Sequence, residues 1–226
     1  MAVIVYSPSW FFGIDVALQS VSIVVPLLIS LMAFRIYKIL RESSFFYFSA
    51  AFFLIAVSYV IKSFADLFLY ANLNTEMLPW IDIVLYRLST LEFISIFGNL
   101  AHRFLILLGF LILLIIFLKI NDRRIIFLFT YFIFIISAFS AWSFLLFQTT
   151  LTVLAGTVCI YYLFHYLNHK KKIILYSLIG FSFLFLAQFS FMFTFFFERQ
   201  MFVIGHVFQA IGFLLLFTTY LLVSRR

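Results

Sequence analysis

Apolar residues run along this chain in blocks long enough to cross a bilayer, broken by short polar clusters. A hydrocarbon core of about 30 Å takes about 20 helical residues. Blocks of that length lie near 17–37, 45–69, 95–118, 125–144, 149–168, 173–196 and 201–222. Their separators are short and charged: RIYKILRESS, KINDRR, NHKKK and FFERQ. The uncharged stretch 125–168 is about twice what one span needs, so it reads as two spans with a turn near 148–150. The pattern predicts an all-α, polytopic membrane protein: seven transmembrane helices in a single domain over 1–226.

The pattern is mixed over 79–119. PWIDIVLYRLSTLEF carries Asp82, Arg87 and Glu92, each costing about 2.5–3.5 kcal/mol at the centre of a span. Ile81, Val84, Leu85, Leu88 and Leu91 recur at helical spacing with the charges between them. This predicts an amphipathic helix over 79–92 at the outer interface, or the wet end of a tilted long helix, with Gly98 as a joint.

Composition agrees with the blocks. Hydrophobic residues make up 66% of the chain and charged ones 10%, which excludes a soluble globular domain. In a soluble protein the net charge of +7 would point to nucleic acid; here what matters is where the charges fall. With the amino terminus outside, the inner loops and tail hold Arg35, Lys38, Arg41, Lys119, Arg123, Arg124, Lys170, Lys171, Lys172, Arg225 and Arg226. That is most of the 15 basic residues, and an eighth span would destroy the bias. The expected orientation is N-terminus outside and C-terminus cytoplasmic, in the cell membrane, with anionic lipids at the inner face and no nucleic-acid partner. No basic residue precedes Arg35, so the first block is expected to be a retained span rather than a secretory signal.

Lys62 and Asp66 stand four apart on the second span and share a face, near Ser58 and Ser63. Ionisable groups within a span face protein or water and are functional-site candidates by default; an internal ion pair is the plainer reading. His102 and Arg103 enter the third span at a similar depth. On the seventh, Gly205, His206, Gln209 and Gly212 fall within about a third of the helix circumference, and Gln188 of the sixth lies comparably deep. Interhelical hydrogen bonds that fix packing would account for them. The other reading is a pocket. Lys62, Asp66, His102, Arg103, Gln188, His206 and Gln209 all map to the outer half of their spans, above inner halves of Leu, Ile, Phe and Val. Spans 2, 3, 6 and 7 are therefore expected to converge on an outward-facing cavity with these seven as ligand-binding residues, closed below by an apolar plug.

His165 and His169 form H-x-x-x-H before three lysines. Two ligands make no structural zinc site, and HKKK is explained as a stop-transfer and anionic-lipid anchor. A haem held between His102 and His206 has no further support, so no metal and no cofactor are expected. Cys159 follows Thr152 and Gly156 in a stripe of small residues suited to close helix packing. The order Cys159, Arg199, His206 is similar to that of the exosortase and archaeosortase proteases. The surrounding sequences do not match those families, and Arg199 and His206 lie too close together. The seventh span has no lysine for a retinal Schiff base. Trp10, Trp80 and Trp142 read as interface anchors. No repeat with a period of 20–50 residues shows.

The stretches YFSAAFFLIAVSYVIKSFADLFLY and GHVFQAIGFLLLFTTYLLVSRR resemble prokaryotic seven-helix membrane sensor modules and uncharacterised archaeal seven-span membrane proteins. That resemblance implies a sensing role. Such sensors usually continue into a kinase or cyclase domain, whereas here SRR follows the seventh block directly, so output is expected from another membrane or cytoplasmic protein. The expected function is a non-enzymatic integral membrane protein, a sensor-like or accessory subunit with an outward-facing polar pocket. The alternative is a membrane-embedded transporter or enzyme using the same cluster.

Overall fold

The computed structural model describes residues 11, 14–73, 88–140, 143–197 and 199–224. Among them the chain forms seven helices: α1 (Ile14–Leu40), α2 (Ser43–Leu73), α3 (Leu88–Leu118), α4 (Arg123–Phe139), α5 (Phe144–His169), α6 (Lys172–Phe197) and α7 (Arg199–Ser224). Six are long and apolar enough to cross a membrane. The exception is α4, whose 17 residues reach about 26 Å. Large apolar side chains such as Phe53, Phe64, Phe127, Phe134 and Phe164 stand exposed around the bundle, as a multi-pass membrane protein requires of its lipid-facing surface.

The helices close into a ring in the order α1, α2, α3, α5, α6, α7 and back to α1. α4 lies outside that ring, packed on α3 and lightly on α5. Successive helices run antiparallel, so α1, α3, α5 and α7 begin at one end of the bundle. The other end gathers Arg41, Lys119 and Lys170, each in the left-handed conformation at the close of α1, α3 and α5. This basic end carries three tight reversals. Asp122 caps α4 there, its carboxylate accepting from the Arg124 amide at 2.8 Å.

The core is built from Phe52, Ile55, Leu107, Phe110, Phe181 and Phe213, all nearly inaccessible. Two expectations are corrected by the helix boundaries. The turn anticipated near 148–150 lies inside α5, and the break between helices comes earlier, α4 ending at Phe139 and α5 beginning at Phe144. Thr150 and Thr152 donate to the carbonyls of Leu146 and Gln148, both at 2.8 Å, so these two hydroxyls are satisfied within the helix. Gly98 is no joint either. α3 runs through it unbroken, because the missing side chain lets Ala65 of α2 come close: a Cβ there would stand 3.1 Å from the Ala65 Cβ.

Of the anticipated interfacial helix over 79–92, residues 79–87 lie outside the described residues and 88–92 begin α3. Trp10, Trp80 and Trp142 also lie outside the described residues. The half toward the basic end is less purely apolar than expected. Ser30 and Ser49 each donate to the other's backbone carbonyl at 2.9 Å, joining α1 to α2.

Candidate functional site

Close helix approach positions the first part of the cluster. A Cβ on Gly109 would stand 3.0 Å from the Ala51 carbonyl oxygen, so glycine lets α3 lie against the backbone of α2. One coil and more away, His102 Nδ1 sits 2.9 Å from the Ser58 carbonyl oxygen. A carbonyl only accepts, so Nδ1 carries the proton in this contact. The imidazole rests against Tyr59 and Phe147, with ring centroids 5.5 and 6.3 Å apart.

Gln148 of α5 bridges to α6, where its Nε2 donates to the Gln188 side-chain oxygen at 2.8 Å and to the Gln188 backbone carbonyl at 2.9 Å. The Tyr59 hydroxyl is hydrogen-bonded to the Gln188 side chain. A polar path therefore runs from α5 through Gln188 and Tyr59 to His102 on α3. Every member of it is buried.

On α7, Gln209 Nε2 donates to the Ser22 hydroxyl of α1 at 2.6 Å. His206 sits one turn away in a cage of Phe11, Phe191 and Phe202, with centroids at 6.3, 5.0 and 4.5 Å. Gly205 lets the Phe191 ring approach, since a Cβ there would meet it at 2.6 Å. His206 is 3% exposed and its Nδ1 has no hydrogen-bond partner among the described residues. Leaving such a group dry and unpaired is costly.

The Lys62 ammonium lies near enough for its charge to act on both His102 and His206. Lys62, His102, Gln188 and His206 thus belong to one neighbourhood. Asp66 is held by α1, accepting from Gln19 Nε2 at 3.3 Å. Arg103 also acts on His102 by its charge, while its head group is bound to the end of α4. Its guanidinium donates to the Ser140 carbonyl and to the Ser140 hydroxyl, and lies 5.9 and 5.5 Å from the Phe144 and Phe147 ring centroids. That places a cation on the carbonyl end of α4, where the helix dipole and unpaired carbonyls favour it.

Reading the sequence located seven polar residues but overlooked their partners. Gln19, Ser22, Tyr59 and Gln148 complete the cluster, and Gln19 and Gln148 were visible as amides within apolar blocks. Cys159 lies in the other half of α5, its sulfur 3.2 Å from the Ser182 hydroxyl, so the geometry does not join it to His206. His165 and His169 face each other at 4.6 Å between ring centroids. Compared with known proteins, the chain matches no family model, no curated protein and no solved structure.

Proposed function

We propose that this chain is a seven-span, non-enzymatic protein of the cell membrane that receives a small ligand from the outer side and acts through a partner protein. In this reading α4 is the remaining span, its exposed Phe127, Leu128, Phe132 and Phe134 facing lipid. The basic end faces the cytoplasm and its anionic lipids, which puts the amino terminus outside.

One observation carries the reading: His206 is buried with Nδ1 unpartnered among the described residues, close enough to Lys62 for that charge to act on it. Polar groups kept only for packing find their partners within the bundle, as Gln148 and Gln209 do; His206 supports a site that something else completes. A thermal-shift screen of small solutes on the protein in nanodiscs tests this. A compound that stabilises the native chain should fail to stabilise Lys62→Met and His206→Phe. Equal stabilisation of all three would place its site elsewhere.

A further inference from the structure

The hairpins α1–α2 and α5–α6 are the same unit displaced by 129 positions. α1 ends at Leu40 and α5 at His169; α2 begins at Ser43 and α6 at Lys172. Between them Arg41 and Lys170 take φ of 58° and 49°. Each donates its N–H to a tyrosine carbonyl four residues back, Tyr37 and Tyr166. Residues paired at this displacement share surroundings: Gln19 and Gln148 are buried donors to the next helix, Phe52 and Phe181 are sealed in the core, and Val24 and Val153 face outward.

The third helices correspond at a displacement of 103. Gly109 of α3 lies on Ala51 and Ile55 of α2, and Gly212 of α7 lies on Gly180 and Leu184 of α6. In both, a Cβ would stand 3.0 Å from the carbonyl oxygen of the first of those neighbours. Ala51 and Gly180, like Ile55 and Leu184, are 129 apart. Helix neighbours repeat too: α1–α2 and α2–α3 recur as α5–α6 and α6–α7, while α3–α5 recurs as α7–α1. Corresponding helices run in the same direction, so the ring is two parallel three-helix units about a pseudo-two-fold axis along the bundle, with α4 as the linker outside it.

Residues on such an axis meet their own counterparts. Tyr59 and Gln188 are 129 apart, and they meet. The axis is polar there. Toward the basic end the corresponding residues Phe52 and Phe181, and likewise Phe110 and Phe213, are all buried. Carriers built from parallel repeats bind their substrate at the repeat interface and expose it alternately by rocking one repeat against the other.

We propose that the chain is such a carrier, binding a small hydrophilic solute, an anion in preference to a cation, between Tyr59 and Gln188. Two cations supply the sign: Lys62 and Arg103 both act by charge on His102, whose ring rests on Tyr59. The proposal rests on the membrane-spanning, outward-polar reading above and adds passage to it.

Cysteine accessibility tests it. Cys159 is the single native cysteine, so Cys159→Ser is a thiol-free background for Gln188→Cys and, independently, Tyr59→Cys. Each monodisperse variant is treated with impermeant anionic and cationic thiosulfonates of matched size, in right-side-out and in inverted vesicles. The expected result is labelling from both faces at both positions, several-fold faster by the anion. Labelling from the outer face alone would leave a fixed outward pocket and overturn the carrier. Protection from both faces would overturn the axial site as well, and a rate favouring the cation would overturn the preference for anions.

Discussion

Gln148 on α5 holds two atoms of Gln188 on α6 with one nitrogen, the side-chain oxygen at 2.8 Å and the backbone carbonyl at 2.9 Å. Both residues are buried, so removing one amide leaves buried polar atoms of the other short of a partner. Gln148→Leu should cost about 1–2 kcal/mol, the upper range for hydrogen-bonded pairs between membrane helices. Adding Gln188→Leu should return part of that loss. A double-mutant cycle on unfolding in bicelles measures the coupling; strictly additive losses would mean the two amides do not act together.

Arg103→Lys should loosen the corner between α4 and α5. The guanidinium reaches the Ser140 carbonyl and hydroxyl while lying over two phenyl rings. An ammonium has neither the planar fork nor the stacking face. The expected loss is about 1–2 kcal/mol, with faster amide hydrogen exchange confined to the residues around Ser140. A variant that exchanges like the native protein would show that the contact carries little energy.

Alanine in place of a helical glycine gains about 1 kcal/mol of intrinsic propensity, so a net loss isolates the clash. At Gly109 the new Cβ would meet Ile55 at 2.7 Å, and at Gly212 it would meet Leu184 at 2.9 Å, each with a backbone oxygen at 3.0 Å. Both Gly109→Ala and Gly212→Ala should lower stability by about 1–3 kcal/mol, and to a similar degree, because the two crossings correspond. Thermal unfolding of the two variants side by side measures this; stabilisation of either would contradict the close approach at that crossing.

Orientation is open to thiol labelling on the same cysteine-free background. Lys171→Cys at the basic end should react with an impermeant reagent only after permeabilisation, and Gln200→Cys at the opposite end should react in intact cells. A reporter fused after Arg226 should read cytoplasmic. Reversed labelling would invert the orientation, and both thiols reacting from one side would overturn the odd number of spans.

Much of the helix plan was legible because crossing a membrane is a local property. About 20 apolar residues in a row suffice, and backbone hydrogen bonding inside lipid leaves helix as the form they take. Polarity within an apolar stretch does not by itself mark a loop. The run from Gln148 to Thr152 is polar yet helical, since the hydroxyls of Thr150 and Thr152 bond back within α5 and its amide finds Gln188.

The candidate cluster was legible only as a list of polar residues at similar depth. Depth follows from position along a helix; direction around the axis depends on which helix lies opposite. Arg103 and His102 are adjacent in sequence, yet one turns to Ser140 and the other to Ser58, and nothing in their own neighbourhood of the chain distinguishes them.

By itself the sequence determined the seven apolar blocks, the helices they form and the gathering of basic residues at one end, because each depends on residues close together in the chain. Only the tertiary structure decided that α4 stands outside the ring, that Tyr59 meets Gln188, and that the two halves of the ring correspond. The correspondence is hidden in the sequence because lipid-facing and core positions draw on the same few apolar side chains, which replace one another wherever volume and burial are kept. Ala51 answers to Gly180 and Ile55 to Leu184; the pairs share their place in the packing, and that place is set by contacts between helices far apart in the chain.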